Sequence, residues 1–257
     1  MVTIDNLKYD ILLSLPGIEA FSTRRGDNVI VADSYSGFNA CDYTGDAPDH
    51  IESCRDALCA MLCIDRDNLI IPRQTHSLNV AVIEHIPVNL TSIYDVDALV
   101  TTLPRVALAV NTADCVPLLL ADVQAGVIAA VHSGWKGTVG RIVSKTVNQM
   151  MALGADCSNI VVAMGPCICG DCFEVGTEVV AQFRDARLDY PGVILPRTPR
   201  NHIDLPQACR ATLLECGVKP QNIALPQACS RCNHDRYFSA RRLGINSGRT
   251  LSVIIKK

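Results

Sequence analysis

Apolar residues follow two patterns along this chain, and the patterns predict interleaved strands and helices. Short apolar runs bounded by polar or glycine-containing turns predict buried strands, and apolar residues that recur every three or four positions predict amphipathic helices. Predicted strands lie at 18–24, 28–32, 69–71, 78–84, 106–110, 116–121, 127–132, 160–164 and 249–255. Predicted helices lie at 48–64, 174–186 and 204–217, and one more begins within SGWKGT (133–138) and continues through Met150. Two polar segments, 36–47 and 186–201, are predicted as loops, the second as a loop or short hairpin.

The order of these elements predicts the fold class. Strands and helices are interleaved, but several strands between 106 and 132 follow one another directly, which favours an α/β fold with mixed β-sheet layers flanked by helices. No repeat, linker or low-complexity tract divides the chain, and 257 residues can bury one large core. We therefore predict a single domain spanning 1–257.

Composition and charge exclude several function classes. Apolar residues make up 49% and charged residues 19% of the chain, which is typical of a globular enzyme rather than a disordered protein. A net charge of −3 gives no reason to expect a nucleic acid or membrane partner, and no apolar run is long enough to span a bilayer. The start, MVTIDNLKYD, does not resemble a signal peptide, and an odd count of 13 cysteines favours reduced thiols. These features predict a cytoplasmic protein.

Three residues beside apolar runs are candidate metal ligands. His76 lies in RQTHS, Cys115 in NTADCVP, and His132 at the exit of the run VIAAV. Two imidazoles and one thiolate suit Zn²⁺, and three protein ligands leave a fourth position for water or substrate, as in catalytic sites. Taken singly, the three are more typical of a loop histidine, a buried thiol and a strand-end residue, and their spacing forms no compact metal motif. Taken together, they fit a metal site equally well.

Other segments offer further candidate chemistry. In the turn 133–137, backbone N–H groups are candidates for an anion site, and the ring of Trp135 is suited either to stacking on a flat base or to filling the core. CICGDC (167–172) and CSRC (229–232) contain C-x-x-C pairs that suit a second zinc, a redox couple or neither. YFSARR (237–242) presents Arg241 and Arg242 as a phosphate clamp or as a solvated basic turn.

The order of these motifs resembles the YfiH or laccase-domain family of purine nucleoside phosphorylases, formerly labelled multicopper polyphenol oxidases. The main matching segments are QTH (74–76), TADCVP (112–117), AVHSGWKGT (130–138), GPCI (165–168), CFEVG (172–176) and FSARR (238–242). Further segments that match are AFSTRRG (20–26), GFN (37–39), YTGD (43–46), SCR (53–55) and HIDL (202–205). The resemblance covers nearly the whole chain. Two departures are Lys136 in place of the family's usual arginine and Ser133 in place of alanine.

The resemblance implies a fold, an activity and a site. The implied fold is an α/β/β/α sandwich. The implied activity is zinc-dependent phosphorolysis of adenosine, inosine and S-methyl-5′-thioadenosine, with adenosine deamination as a side activity. The implied zinc ligands, which are also catalytic residues, are His76, Cys115 and His132. Asp114 or a metal-linked water is the candidate proton donor to the departing purine. The candidate substrate and phosphate ligands are Arg24, Asn39, Trp135, Lys136 and Arg242.

Three alternatives stay open at this point. A multicopper oxidase needs about ten histidines, largely in H-x-H pairs, whereas the chain has six histidines and no such pair, so at most one Cu²⁺ fits the zinc site. A Cys–His hydrolase or amidase would use Cys115 as nucleophile and His132 as base, a reading that includes editing of peptidoglycan precursors. A zinc-storing or interaction module would bind metal without turnover. The predicted partners are nucleosides and phosphate, with the chain a monomer or homodimer.

Overall fold

The computed structural model describes residues 4–27, 29–30 and 32–257. Within these ranges the chain forms strands, α-helices and short 3-10 helices. The strands are β1 (Asn6–Lys8), β2 (Ile18–Thr23), β3 (Leu69–Ile70), β4 (Val80–Ile83), β5 (Ala98–Thr101), β6 (Ala107–Thr112), β7 (Val116–Asp122), β8 (Val127–Ser133), β9 (Val161–Met164), β10 (Glu174–Val175), β11 (Ile194–Leu195), β12 (Asn201–Ile203), β13 (Ile223–Ala224) and β14 (Thr250–Lys256). The helices are α1 (Asp10–Leu13), α2 (Pro48–Leu62), α3 (Trp135–Val139), α4 (Ile142–Ala152), α5 (Thr177–Asp185), α6 (Leu205–Glu215) and α7 (Ala240–Leu243), with 3-10 turns at Arg66–Asn68, Leu90–Ile93 and Pro220–Asn222.

Two large mixed sheets stack face to face. The first has the strand order β1-β2-β14-β6-β3 and the second β13-β9-β7-β8-β5-β4, with a small third sheet β10-β12-β11 at the side. A shared core between the large sheets includes Leu108 and Ile254 from the first and Leu119 and Ile128 from the second. Helix α2 covers the outer face of the first sheet, and α4, α5 and α6 cover that of the second. The predicted α/β/β/α sandwich is confirmed, whereas the boundaries 1–257 stay a prediction.

Strand β7 shows why the central strands have continuous apolar sequences. Its Val116, Leu118 and Leu120 contact the helices, while its Leu119 and Ala121 contact the other sheet. Because side chains alternate along a strand, a strand buried on both faces needs apolar residues at every position. The same rule accounts for the runs at 107–110 and 127–131, and each of these was predicted as a strand.

Some predicted elements differ from the structure. The predicted helix through Met150 is two helices, α3 and α4, because Arg141 has left-handed backbone (φ 63°) and separates them. The predicted strand 28–32 falls partly outside the described residues, and positions 29, 30 and 32 are not in a strand. Strand β5 was not predicted, although it is buried and lies between β8 and the edge strand β4 of the second sheet.

Candidate metal centre and active-site cavity

The three predicted zinc ligands lie together. One ligand atom each from His76, Cys115 and His132 falls within 4.8 Å of the others. The Cys115 Sγ is 3.6 Å from the His76 Nε2, and the two imidazole rings stand edge to face with centroids 4.8 Å apart. The sequence placed these residues 39 and 17 positions apart, and the fold brings them to one point.

Two antiparallel strands and one loop position these side chains. Val116 pairs with Ser133 across β7 and β8, so Cys115, just before β7, lies beside His132 near the end of β8. His76 lies on the loop between β3 and β4 and has left-handed backbone (φ 62°). A non-glycine residue in this region costs free energy and persists only where its surroundings hold it.

The carboxylate of Asp97 holds both histidines. Its Oδ1 accepts a hydrogen bond from the His132 Nδ1 at 2.6 Å and from the His76 backbone N–H at 3.1 Å. Its Oδ2 accepts from the backbone N–H groups of Ser77 at 2.7 Å and Thr75 at 3.2 Å. Because Nδ1 of His132 faces Asp97, its Nε2 is left for a metal, which is the arrangement that carboxylate–histidine–metal sites use. Asp97 was missed because β5, the strand that it immediately precedes, was missed.

Gly134 lies against the same cluster. A Cβ added to it would lie 2.7 Å from the His76 Cδ2 and 2.9 Å from the Cys115 Sγ. Such distances are shorter than van der Waals contact, so any side chain there would displace two ligands. Gly134 is therefore required because a side chain would collide with two of the candidate ligands. It is not required by an unusual backbone angle, since its φ is −74°.

The charge states of Cys115 and His132 depend on each other. Burial would raise the pKa of the Cys115 thiol, but the charge of His132 and hydrogen bonds from both histidines lower it to about 6. Burial would lower the pKa of His132, but the Cys115 thiolate and Asp97 raise it to about 9. Without a metal, a thiolate beside an imidazolium is therefore the favoured state near neutral pH.

Zinc binding at this site should release a proton from His132 over a defined pH range. A metal ligand must be deprotonated, and between about pH 6 and pH 9 Cys115 is already a thiolate while His132 still carries its proton. We expect the zinc affinity to rise by about tenfold per pH unit across this range and to level off above it. Competition with a chromophoric chelator measures the profile. A flat profile in the unmodified chain contradicts this coupling.

A cavity of ≈ 540 Å³ opens beside the three ligands. Its volume is sufficient for a small ligand of nucleoside size. Its lining residues are Tyr43, Gln74, His76, Asn111, Ala113, Asp114, Cys115, His132, Trp135, Ala240, Arg241, Ile245 and Arg249. Trp135 and Asp114, two predicted site residues, are thus on its wall. Trp135 also packs against the core of the second sheet, so its ring contacts both the core and the cavity.

Four predicted substrate or phosphate ligands do not line this cavity: Arg24, Asn39, Lys136 and Arg242. Arg24 donates to Asp5 at 2.9 Å and to the Tyr237 hydroxyl at 3.3 Å. Asn39 is fully buried, donates to Asp46 at 2.7 Å and accepts from the Arg249 backbone N–H at 3.0 Å, so it supports the loop behind the wall.

Helix geometry separates the two arginines of FSARR. They are successive residues of α7, and successive side chains on a helix point in directions about 100° apart. Arg241 faces the cavity, with its guanidinium 5.5 Å from the Phe173 ring centroid, whereas Arg242 does not line it. Lys136 is exposed beside the cavity and lies 5.7 Å from the Trp135 ring centroid. The binding roles predicted for these residues stay predictions.

Asp114 connects loops on the cavity wall. Its φ of 88° is in the left-handed region. One carboxylate oxygen accepts from the Ser230 hydroxyl at 2.6 Å and the other from the Arg241 backbone N–H at 2.7 Å. These contacts fix the residue next to Cys115, and the proton-donor role predicted for Asp114 stays a prediction.

Asn111 is a cavity residue that sequence reasoning missed. Its side chain is buried, and neither its amide nitrogen nor its oxygen has a hydrogen-bond partner. Its backbone is held by Gln74, which donates to the Asn111 carbonyl at 2.8 Å and accepts from its N–H at 2.7 Å. A buried amide left unpaired at a cavity is costly unless a ligand satisfies it. The available sequence signal was the position of Asn111, a polar residue at the end of the apolar run 107–110.

The donor set fits a single zinc ion better than a copper cluster. Two nitrogen donors and one thiolate within 4.8 Å match the ligands of an open zinc site. Within the described ranges, His76 and His132 are the histidines found in a potential metal-ligating group. A blue copper with a three-copper cluster needs many more histidines, so this chain cannot build one. Among the described residues, no helix combines the length and apolar character needed to cross a membrane.

The fold and this site define an α/β/β/α protein with a Cys–His group that could hold a metal ion, beside a nucleoside-sized cavity. Residues 18–257 match the family model described as multi-copper polyphenol oxidoreductase laccase, and the chain belongs to that family. The resemblance to the YfiH or laccase-domain family is therefore confirmed.

Similar proteins extend this assignment. The chain is 48% identical to adenosine deaminase RL5 from an unknown prokaryotic organism, over 97% of this chain and 98% of that protein. It is 37% identical to a purine nucleoside phosphorylase of Bacteroides thetaiotaomicron, over 97% and 95% of the two chains. The crystal structure of Bacillus licheniformis hypothetical protein YfiH superposes with a TM-score of 0.86 over 93% of each chain at 24% identity, which supports the fold alone. The prediction that the chain is an enzyme is confirmed by these relatives.

Proposed function

We propose that the chain is a zinc-dependent purine nucleoside phosphorylase that cleaves adenosine, inosine and S-methyl-5′-thioadenosine, with adenosine deamination as a side activity. The single observation that carries the proposal is the convergence of His76, Cys115 and His132 beside the ≈ 540 Å³ cavity. The relatives named for these two activities match over nearly the whole chain, which supports both substrate classes.

The metal would be held by the Nε2 atoms of the two histidines and the Cys115 Sγ. When bound, zinc supplies Lewis-acid chemistry at a position open to the cavity, which suits deamination of a purine most directly. Asp97 keeps the Nδ1 of His132 protonated and turned away, so the ring offers Nε2. Asp114, held by Ser230, lies beside Cys115 and is the candidate for proton transfer to the departing purine.

The purine would lie between an aromatic face and an unpaired amide. Trp135 offers a surface on which a base can stack, and such stacking contributes about 1–3 kcal/mol. The Asn111 amide has one donor and one acceptor to offer, a pattern that pairs with the N6 and N7 atoms of adenine. The N7 and O6 atoms of hypoxanthine present acceptors only, so we expect Asn111 to favour adenine nucleosides.

Replacing Asn111 with alanine should lower kcat/KM for adenosine by about 10- to 100-fold, because a bidentate amide–base pair contributes about 1–3 kcal/mol. The loss for inosine should be smaller, since hypoxanthine can accept but not donate along the same edge. Steady-state kinetics with both nucleosides measure the difference. The KM for phosphate is the internal control, and an equal loss for both nucleosides contradicts the assigned role.

Phosphate would be held by the cations at the rim of the cavity. Arg241 and Arg249 line the wall, and Lys136 lies beside it. The Arg249 guanidinium donates to the backbone carbonyls of Ser247 at 2.6 Å and Ile245 at 2.8 Å, so it holds its own loop. The Arg241 guanidinium donates to the Glu174 carbonyl at 3.3 and 3.4 Å, which are longer hydrogen bonds than those of Arg249. Arg241 and Lys136 are therefore the better candidates to hold a phosphate that attacks the ribosyl carbon as the base leaves.

A panel of nucleosides assayed with and without phosphate tests the proposal. We expect inosine to yield hypoxanthine and ribose 1-phosphate only when phosphate is present, and adenosine to yield inosine and ammonia without it. Zinc content of the purified chain is measured in the same preparation. Bound zinc without turnover of any nucleoside would indicate the metal-storing alternative, and release of base without phosphate would indicate a hydrolase.

One observation favours a second candidate, a cysteine hydrolase or amidase. Cys115, His132 and Asp97 form a nucleophile–base–carboxylate series, with the pKa of the thiol lowered to about 6. This series does not include His76. Retention of amide or ester hydrolysis in the presence of a chelator, with loss after thiol alkylation, would support it over the zinc enzyme.

A further inference from the structure

A second cluster of cysteines lies apart from the His76–Cys115–His132 centre. Strands β9 and β13 are parallel neighbours at the edge of the second sheet, with Ala163 paired to Ala224. Each strand is followed by a loop that carries one C-x-x-C segment, 169–172 after β9 and 229–232 after β13. Because parallel neighbouring strands end at the same edge of a sheet, the two segments lie side by side at that edge.

Backbone contacts keep the two loops in register. Cys167 and Cys229 form an isolated parallel bridge, and the Ser230 N–H donates to the Cys167 carbonyl at 2.9 Å. Each C-x-x-C segment forms a hydrogen-bonded turn. The Cys172 N–H donates to the Cys169 carbonyl at 2.9 Å, and the Asn233 N–H donates to the Cys229 carbonyl at 3.0 Å. These turns bring the two sulfurs of each pair to the same side.

The sulfurs of Cys169, Cys172, Cys229 and Cys232 all lie within 4.8 Å of one another, with the Cys172 and Cys232 atoms 3.4 Å apart. Zn–S bonds of about 2.3 Å in a tetrahedron place the sulfurs about 3.8 Å apart, so these separations need only small adjustments. All four are free thiols, and none belongs to the apolar core clusters that include Cys54, Cys59 and Cys209.

Hydrogen-bond donors point at the same sulfurs. The Cys169 N–H donates to the Cys229 Sγ at 3.4 Å, and the Arg231 guanidinium donates to the Cys172 Sγ at 3.4 Å. Zinc with four thiolates carries a net charge of −2, so N–H donors and a guanidinium stabilise it. Four neutral thiols without a metal would carry no negative charge for these donors to stabilise.

We propose that Cys169, Cys172, Cys229 and Cys232 bind a second zinc ion in a closed, structural Cys₄ site. Four protein ligands leave no open position, in contrast to the centre at Cys115. Binding releases the thiol protons to solvent and forms four Zn–S bonds, with no oxidation. This inference is independent of the proposed nucleoside chemistry.

The site joins the two loops that support the active-site wall. Ser230, between two of the ligands, donates its hydroxyl to Asp114, and Ile168, next to Cys169, donates its N–H to the Asp114 carbonyl at 2.9 Å. The second zinc is therefore a positioning element for Asp114, the residue that precedes Cys115. Its loss should lower the melting temperature and, through Asp114, weaken the organisation of the first centre.

Metal content and cobalt spectroscopy test this site directly. We expect the purified chain to hold about two zinc ions, and a Cys172→Ser/Cys232→Ser variant to hold about one. Cys63→Ser, at an exposed thiol at the end of α2, is the matched control and should keep both. Cobalt in place of zinc at a Cys₄ site should give strong tetrahedral absorption and intense sulfur-to-metal charge transfer.

A second variant keeps the proposal testable if the first variant does not fold. His76→Ala/Cys115→Ala removes two ligands of the first centre, and it should keep one zinc and the four-thiolate cobalt spectrum. Absence of that spectrum, or intact mass under non-reducing conditions that shows disulfides among these cysteines in freshly purified protein, would overturn the proposal. A Cys₄ spectrum without nucleoside turnover would leave it standing and refute only the proposed function.

Discussion

Replacing His76 with alanine should lower zinc affinity at the His76–Cys115–His132 centre by more than about 100-fold, because loss of an outer-shell partner alone costs 10- to 100-fold. Phosphorolysis and deamination should fall with the metal. Fold stability should change little, since His76 is exposed and its side chain contacts the Cys115 Sγ at 3.6 Å as its single hydrogen-bond partner.

This variant separates the two candidate chemistries. His76 belongs to the zinc site but not to the Cys115–His132–Asp97 series. A cysteine hydrolase would therefore keep most of its activity in His76→Ala, because His132 lowers the pKa of the Cys115 thiol more than His76 does. His85→Ala, at an exposed histidine outside the centre, is the control and should behave as the unmodified chain does. Zinc content, circular dichroism and nucleoside turnover are measured on both variants. Full phosphorolysis in His76→Ala with zinc retained would exclude the proposed metal centre.

Most of the central sheets could be predicted from the sequence, because burial on both faces demands uninterrupted apolar residues. The strands β7 and β8 follow from that rule, and the helix α2 follows from its apolar period and its proline at the first turn. The two-residue strands β10, β11 and β13 are too short to carry a period. Their existence depends on partners that are distant in the sequence.

The candidate site was predictable to the extent that its residues stand at strand ends. His132 follows an apolar run and Cys115 precedes one, and the family resemblance joined them to His76. Asp97 gave no such signal, and Asn111 gave only its position at the end of the apolar run 107–110, because an acid or an amide beside an apolar run acquires its role from tertiary contacts. Which of Arg241 and Arg242 lines the cavity likewise depends on the orientation of α7, and the sequence alone does not determine that orientation.

Asp97→Asn should be the most disruptive single substitution in this site. The carboxylate accepts four hydrogen bonds, two on each oxygen, from the His132 Nδ1 and the backbone N–H groups of Thr75, His76 and Ser77. An asparagine keeps one acceptor and turns an NH₂ group toward two donors. Two donors left unpaired in this buried and partly buried network, at about 1–3 kcal/mol each, predict a loss of up to about 6 kcal/mol in the free energy of unfolding.

The same substitution should weaken the metal centre. Without the carboxylate, the Nδ1–H of His132 loses its partner, and its Nε2 is no longer held toward Cys115. We expect zinc affinity to fall by about 10- to 100-fold, as for other outer-shell carboxylates. Asp189→Asn is the matched control, because Asp189 is exposed and does not line the cavity, and its stability effect should stay within about 0.5 kcal/mol.

The pH dependence of the stability loss gives an independent check on the Asp97 charge. Burial would raise the pKa of this carboxyl, but hydrogen bonding to His132 and the charge of that residue lower it below its usual value. A carboxyl whose folded-state pKa is lowered stabilises the fold above its unfolded pKa of about 3.9, and this stabilisation is lost as pH falls through the folded value. The difference between the unmodified chain and Asp97→Asn in urea unfolding should therefore be largest near neutral pH and shrink in acid. A difference that is constant with pH would mean that Asp97 acts through shape and not through its charge.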